Sequence, residues 1–176
     1  MQRKRTILGL VILAVLVGGW YAFRPERLFV NQRVNESLEP GTTSGSKATS
    51  PMTSGTETPA MSTLLTGRFH SVSHETHGVA TIYRLADGTR VLRFTEFMTS
   101  NGPDVQVYLV KANDAKDNET VTKGGYVRLA GLKGNVGDQN YELPADLDLS
   151  QFHAVTIWCR RFGVNFATAP LSSSAS

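Results

Sequence analysis

Val79–Val110, VATIYRLADGTRVLRFTEFMTSNGPDVQVYLV, decides the fold. In its last third Val105, Val107 and Leu109 alternate with Gln106 and Tyr108, the period of a half-buried strand. Ala86-Asp87-Gly88-Thr89 supplies a hairpin turn, because an Asp-Gly pair adopts positive φ at little cost. Asn101-Gly102-Pro103-Asp104 fixes a second turn whose exit feeds straight into Val105. The stretch therefore reads as three strands, Val79–Leu85, Arg90–Thr95 and Val105–Val110.

The same grammar continues on both sides. Gly67–Ser71, Tyr126–Ala130, Asn140–Leu143, Ala154–Cys159 and Gly163–Phe166 are short apolar runs bounded by turn residues, and no window reads as a long amphipathic helix. Many short strands at this spacing predict an all-β domain over residues 61–171, an antiparallel β-sandwich or a barrel, with a disordered tail at 172–176.

Upstream the composition changes twice. Thr6–Phe23, TILGLVILAVLVGGWYAF, carries no charge, follows Arg3, Lys4 and Arg5, and ends in Trp20 and Tyr21, which suit the lipid–water interface. It is just long enough to cross a bilayer as one transmembrane helix. The alternative is a cleaved signal peptide, with Val17 and Gly19 as small residues before a cut at Trp20. We expect an uncleaved anchor over residues 1–30, since Arg24 and Arg27 follow the aromatic pair directly and no Ala-x-Ala is present. A short basic tail is easily retained inside, which places the rest of this single-pass chain outside the cytoplasm. Residues 31–60 are rich in Ser, Thr, Gly and Pro, have no apolar period, and predict a disordered tether.

Charge excludes one class of function. From Ser62 to Leu171 there are eleven Lys plus Arg and eleven Asp plus Glu, so the whole net charge of +3 belongs to the flanking residues. A domain of zero net charge lacks the basic footprint of a nucleic-acid binder. Cys159 is the only cysteine, which rules out an internal disulfide and a thiolate cluster for zinc or iron–sulfur. Core burial alone must hold the domain together.

Few residues carry chemistry. No nucleophile elbow, phosphate-binding Gly-rich loop or His-Glu-x-x-His occurs, and the carboxylates are scattered over turns, so no stand-alone enzyme class is indicated. His70, His74 and His77 in GRFHSVSHETHG, with His153, would form a metal site only if they converged; their strand-like context favours loop histidines and no metal. Asn113–Glu119, NDAKDNE, lacks the mid-loop glycine and spacing of an EF-hand and reads as a solvated loop. Cys159 shares a face with Val155 and Ile157, as an inert buried thiol would, yet it closes its strand and precedes Arg160 and Arg161, whose charge could stabilise a thiolate. Both readings stand on the residues alone.

Four blocks, GRFHSVSHETHGVATIYRLADG, RVLRFTEFMTSNGPDVQVYLV, LKGNVGDQNYELP and VTIWCRRFGVNFATAPL, resemble the electron-transfer DM-thirteen domain family and cover nearly all of Gly67–Leu171. The resemblance implies an all-β domain akin to haem- or sugar-binding sandwiches, with redox chemistry at the cell surface. It places the family's characteristic cysteine on Cys159, as a bare thiol or as a ligand to a prosthetic group such as haem, and the histidine of the first block on His74. His77 falls where the resemblance implies no role.

Two functions follow. One is a membrane-anchored electron-transfer module in which Cys159 cycles through sulfenic acid, a mixed disulfide with an envelope redox partner, or thiolate ligation of haem. The other is a cell-surface binding or scaffolding module in which Cys159 only packs. In either case residues 6–23 would have the lipid bilayer as partner.

Overall fold

A computed structural model describes residues 9, 11–15, 17–18, 30–38 and 61–173. Among the described residues ten strands are present: β1 (Ser62–Arg68), β2 (His70–Ser71), β3 (His77–Arg84), β4 (Arg90–Met98), β5 (Val105–Val110), β6 (Tyr126–Gly131), β7 (Gln139–Glu142), β8 (Ala154–Cys159), β9 (Val164–Pro170) and β10 (Ser172–Ser173), and a short helix, α1 (Asn118–Gly124), lies between β5 and β6. They form two antiparallel five-stranded sheets, ordered β10-β1-β3-β4-β7 and β2-β9-β8-β5-β6. The all-β, sandwich-like expectation is met.

The Asp-Gly turn works as read. Leu85 N–H donates to Thr89 O at 2.8 Å, and Thr89 N–H donates to Asp87 Oδ1 at 2.8 Å. Gly88 sits at φ 86°, where a side chain would be strained. The turn sets the β3–β4 register, Arg84 opposite Arg90 and Ile82 opposite Leu92, which sends Ala80, Ile82, Leu92 and Phe94 inward. They meet Val107, Leu109, Val155 and Ile157 of the second sheet in one buried cluster. Each large side chain so buried contributes roughly 1.5–3 kcal/mol of transfer free energy.

Two irregularities were not legible in the strand pattern. Phe94 and Phe97 are three apart, which a period of two cannot place on one face. The β3–β4 register shifts between His77 and Val79, and Glu96 takes φ 51° with its N–H donating to Asp138 Oδ1 at 3.0 Å. That bulge turns both rings inward, with centroids 5.0 Å apart. The run read as one strand over Gly67–Ser71 is broken at Phe69. Arg68 pairs with β3 in the first sheet and His70 with β9 in the second, so the chain changes sheets at Phe69, whose ring packs edge-on against Phe94 and Phe97 at 5.0 and 5.2 Å.

β5 is not half-buried. Gln106, Tyr108 and Val110, on its second face, are as buried as Val107 and Leu109. The reason is α1 and the loop before it, which cover the outer face of the second sheet and join Ala115 and Val121 to Tyr108, Val110, Ala154 and Trp158 in a second apolar cluster. Asp117 caps the helix by accepting from Thr120 N–H at 2.6 Å, while Asn165 Nδ2 donates to Ala115 O at 2.6 Å and the Asn165 backbone N–H donates to Asn118 Oδ1 at 2.7 Å. The end of the run read as a solvated loop is therefore a helix start. The face it covers is partly polar: Thr156 Oγ1, Thr168 Oγ1 and Asn165 Oδ1 are buried there with no hydrogen-bond partner among the described residues.

Residues 31–38, which composition assigns to the tether, lie with Val30 along the domain instead. Val34 and Glu36 N–H donate to Val136 O and Asp138 O, both at 2.9 Å, and Val136 N–H returns to Gln32 O at 3.2 Å. Glu36 also pairs with Lys133 at 2.8 Å, and its carbonyl accepts from Arg93 Nη1 at 2.8 Å. Composition misses this because the bonds are backbone bonds, and because Gly134 and Gly137 open the space. A Cβ at Gly137 would stand 2.0 Å from Val34 O, and one at Gly134 2.5 Å from Gln32 O. Residues 39–60 lie outside the described residues. Of the expected tail, Ser172 and Ser173 pair with Thr66 and Leu65 of β1, and 174–176 are not described. Residues 9, 11–15 and 17–18 are helical; the rest of 6–23 is outside the described residues, and among those described no helix is long and apolar enough to cross a membrane.

Candidate functional site

β8 carries Cys159 to its C-terminal end. The alternation that puts Val155 and Ile157 inward puts Cys159 there too, with no exposed surface, opposite Val105 of β5 and Val164 of β9. The register shifts once between Ile157 and Trp158, because Trp158 pairs with Asn165 and Ile157 with Ala167. Phe166 is the residue left over, and its ring enters the same buried cluster as Cys159.

The same ring receives His74. The imidazole is half-buried, its centroid 3.8 Å from that of Phe166, and His74 N–H donates to Phe166 O at 3.2 Å. The Asn101–Asp104 turn also reaches this ring. A Cβ on Gly102 would stand 2.7 Å from Val105 Cγ2 and 3.1 Å from Phe166 Cζ, so only glycine lets the turn lie this close. Phe166 thus shares a buried cluster with Cys159 and carries the His74 imidazole on its ring. No hydrogen bond joins Cys159 and His74 among the described residues.

The basic pair after Cys159 is directed elsewhere. Arg160 Nε donates to Asp104 Oδ2 at 2.7 Å and its backbone N–H to Asp104 O at 2.9 Å, and Arg161 is exposed. This carboxylate raises the guanidinium pKa, through its hydrogen bond first and its charge second. Asp104 also accepts from Gln106, whose Oε1 accepts from Arg128 Nε at 2.7 Å. The charges form a surface chain across β5, β6 and β8, outside the apolar pocket of the thiol.

The other histidines are dispersed. His70 Nε2 donates to Asp114 Oδ1 at 2.9 Å, His77 is exposed at the start of β3, and His153 is exposed just before β8. Among the described residues no three His, Cys, Asp or Glu side chains are grouped to hold a metal. Haem does not fit Cys159 in this arrangement either: the thiol is enclosed by apolar side chains, and one face of His74 lies on Phe166. The cavity at this end, about 260 Å³, is lined by Gln32, Asn101, Asp104, Gln106 and Asn135 among others, and Cys159 is not in its wall.

Sequence reading missed three contributors. Phe166 needed the bulge to be seen, since in a regular strand it would have no special place. Gln32 comes from the docked segment. Tyr108 belongs to a stack with Tyr126, 4.6 Å apart and nearly parallel, and with Trp158 at 6.3 Å; burial, then Tyr126, raises the Tyr108 phenol pKa. Its alternation with valine and leucine was the only signal, and that signal pointed to solvent.

The family model described as Electron transfer DM13 matches residues 68–171, from the end of β1 to just beyond β9. No curated protein and no solved structure matches the chain.

Proposed function

The chain belongs to the electron transfer DM13 family, and on that premise we propose a membrane-anchored, extracytoplasmic electron-transfer domain whose redox group is the Cys159 thiol. Residues 6–23 are the anchor in this reading. The observation that carries it is that Phe166 shares the buried cluster of Cys159 and carries the ring of His74, the two residues singled out by the family resemblance. A thiol enclosed there reacts only when its cover moves. In this reading the cover is the Asn101–Asp104 turn, which packs on Phe166 and on Val105, the strand partner of Cys159. Local opening of such a patch costs less free energy than unfolding the sheets.

Alkylation of the full chain in membranes, measured against urea, tests the proposal. A local opening gives a Cys159 rate nearly independent of urea at low concentration, whereas reaction only through global unfolding rises steeply with urea from the start. The first outcome supports a gated redox thiol. The second favours the other reading, a surface binding module with Cys159 as a packing residue, for which the complete burial of the thiol speaks.

A further inference from the structure

The docked segment changes where the domain can stand. If composition ruled, the domain would hang from the apolar run by everything between Phe23 and Ser62, a chain able to reach well over 100 Å when extended. The structure shows an earlier attachment. Residues 30–38 are fastened to the loop between β6 and β7 and to β4 by backbone bonds from Val34, Glu36 and Val136, by the Glu36–Lys133 pair and by Arg93. Phe23 and Val30 are seven residues apart, which at most spans about 25 Å.

We propose that residues 30–38 are a mooring strap that holds one end of the sandwich at the bilayer surface. This rests on the anchor reading of 6–23. The moored end can be identified. Asn101 Nδ2 donates to Val30 O at 3.0 Å, so the Asn101–Asp104 turn lies beside the residue nearest the anchor. Asn135 donates to Asn31 Oδ1 at 2.8 Å and to Thr99 O at 3.1 Å, tying the same turn region to the strap. That turn packs on Phe166 and on Val105, the strand partner of Cys159, so the thiol end of the domain faces the membrane and its partner is one that is itself held at the bilayer. The β3–β4 hairpin at Asp87 stands at the far end of β4, roughly 30 Å away for nine residues of strand.

The experiment uses the full chain in lipid vesicles, in two arms. A protease site inserted between Ser44 and Gly45 is cut, and the membranes are pelleted. The strap predicts that the domain stays in the pellet although no peptide bond links it to the anchor. The double variant Val34→Pro, Glu36→Pro, which removes the Val34 and Glu36 N–H donors and the Glu36 carboxylate while leaving residues 61–173 unchanged, should release it to the supernatant on cutting. In the second arm, Pro103→Cys and Asp87→Cys are labelled separately in a Cys159→Ala background, and energy transfer to an acceptor lipid is measured. Pro103 should transfer several-fold more than Asp87, and the double proline variant should erase the difference. Release of the native domain on cutting, or equal transfer from both labels, overturns the mooring. A chain that is soluble before any cut overturns the anchor instead, and the mooring with it.

Discussion

Replacing Cys159 by serine and by alanine separates a sealed apolar site from a wet one. The thiol has no exposed surface, and its strand partners are Val105 and Val164. Serine is close to cysteine in size but brings a hydroxyl that must leave water for a largely apolar cluster, at a cost of about 1–3 kcal/mol. Alanine removes the sulfur and leaves a small void, a loss of roughly 1 kcal/mol from transfer and cavity together. For a domain of this size 1 kcal/mol moves the melting temperature by about 4–6 °C. Serine should therefore melt at least as far below the native protein as alanine, and by as much as about 10 °C lower. Urea unfolding followed by Trp158 fluorescence, with the slope unchanged, gives the free energies. A serine variant as stable as the native protein, or clearly more stable than alanine, would refute the reasoning, because it would require a hydrogen-bond partner within the cluster.

Three further outcomes are expected. Gly102→Ala pushes the turn away from Val105 and Phe166, so it should raise the native alkylation rate of Cys159 more than it lowers the melting temperature. Asp117→Ala removes the cap of α1 and, because the face under the helix is partly polar, should lower the melting temperature measurably and loosen protection of the 112–125 amides in hydrogen exchange. Burial raises the phenol pKa of both Tyr108 and Tyr141, so the native state holds these protons after the unfolded chain has begun to lose them. Stability is thus fully present below about pH 10 and falls above it, by at most about 1.4 kcal/mol per pH unit for each phenol; a flat urea midpoint from pH 9 to 11 would contradict this.

Strand positions were legible wherever a turn was chemically explicit. Asp87-Gly88 and Asn101–Asp104 bracket β4 and β5 as read, and the alternation in β8 placed Cys159 inward. What was not legible has one physical origin: partners far away in sequence. β5 looked half-buried because the helix that covers its second face lies elsewhere. The Glu96 bulge depends on Asp138, and the strap at 30–38 depends on two glycines a hundred residues downstream. Of the candidate site, Cys159 and His74 were named from sequence, while Phe166, which shares the cluster of Cys159 and carries the His74 ring, was hidden by a one-residue change of register.

The change of sheets at Phe69 bears on how the domain comes apart. β1 lies inside the first sheet, between β10 and β3, and a single residue later the chain is hydrogen-bonded to β9 in the second. One short run of backbone is thus a rivet through both layers, with an aromatic head set in the core. Neither sheet can peel away without pulling that ring out and exposing the interior of the other. Melting should therefore be all-or-none, with calorimetric and van't Hoff enthalpies equal, and Phe69→Ala should separate them by letting the layers part at different temperatures.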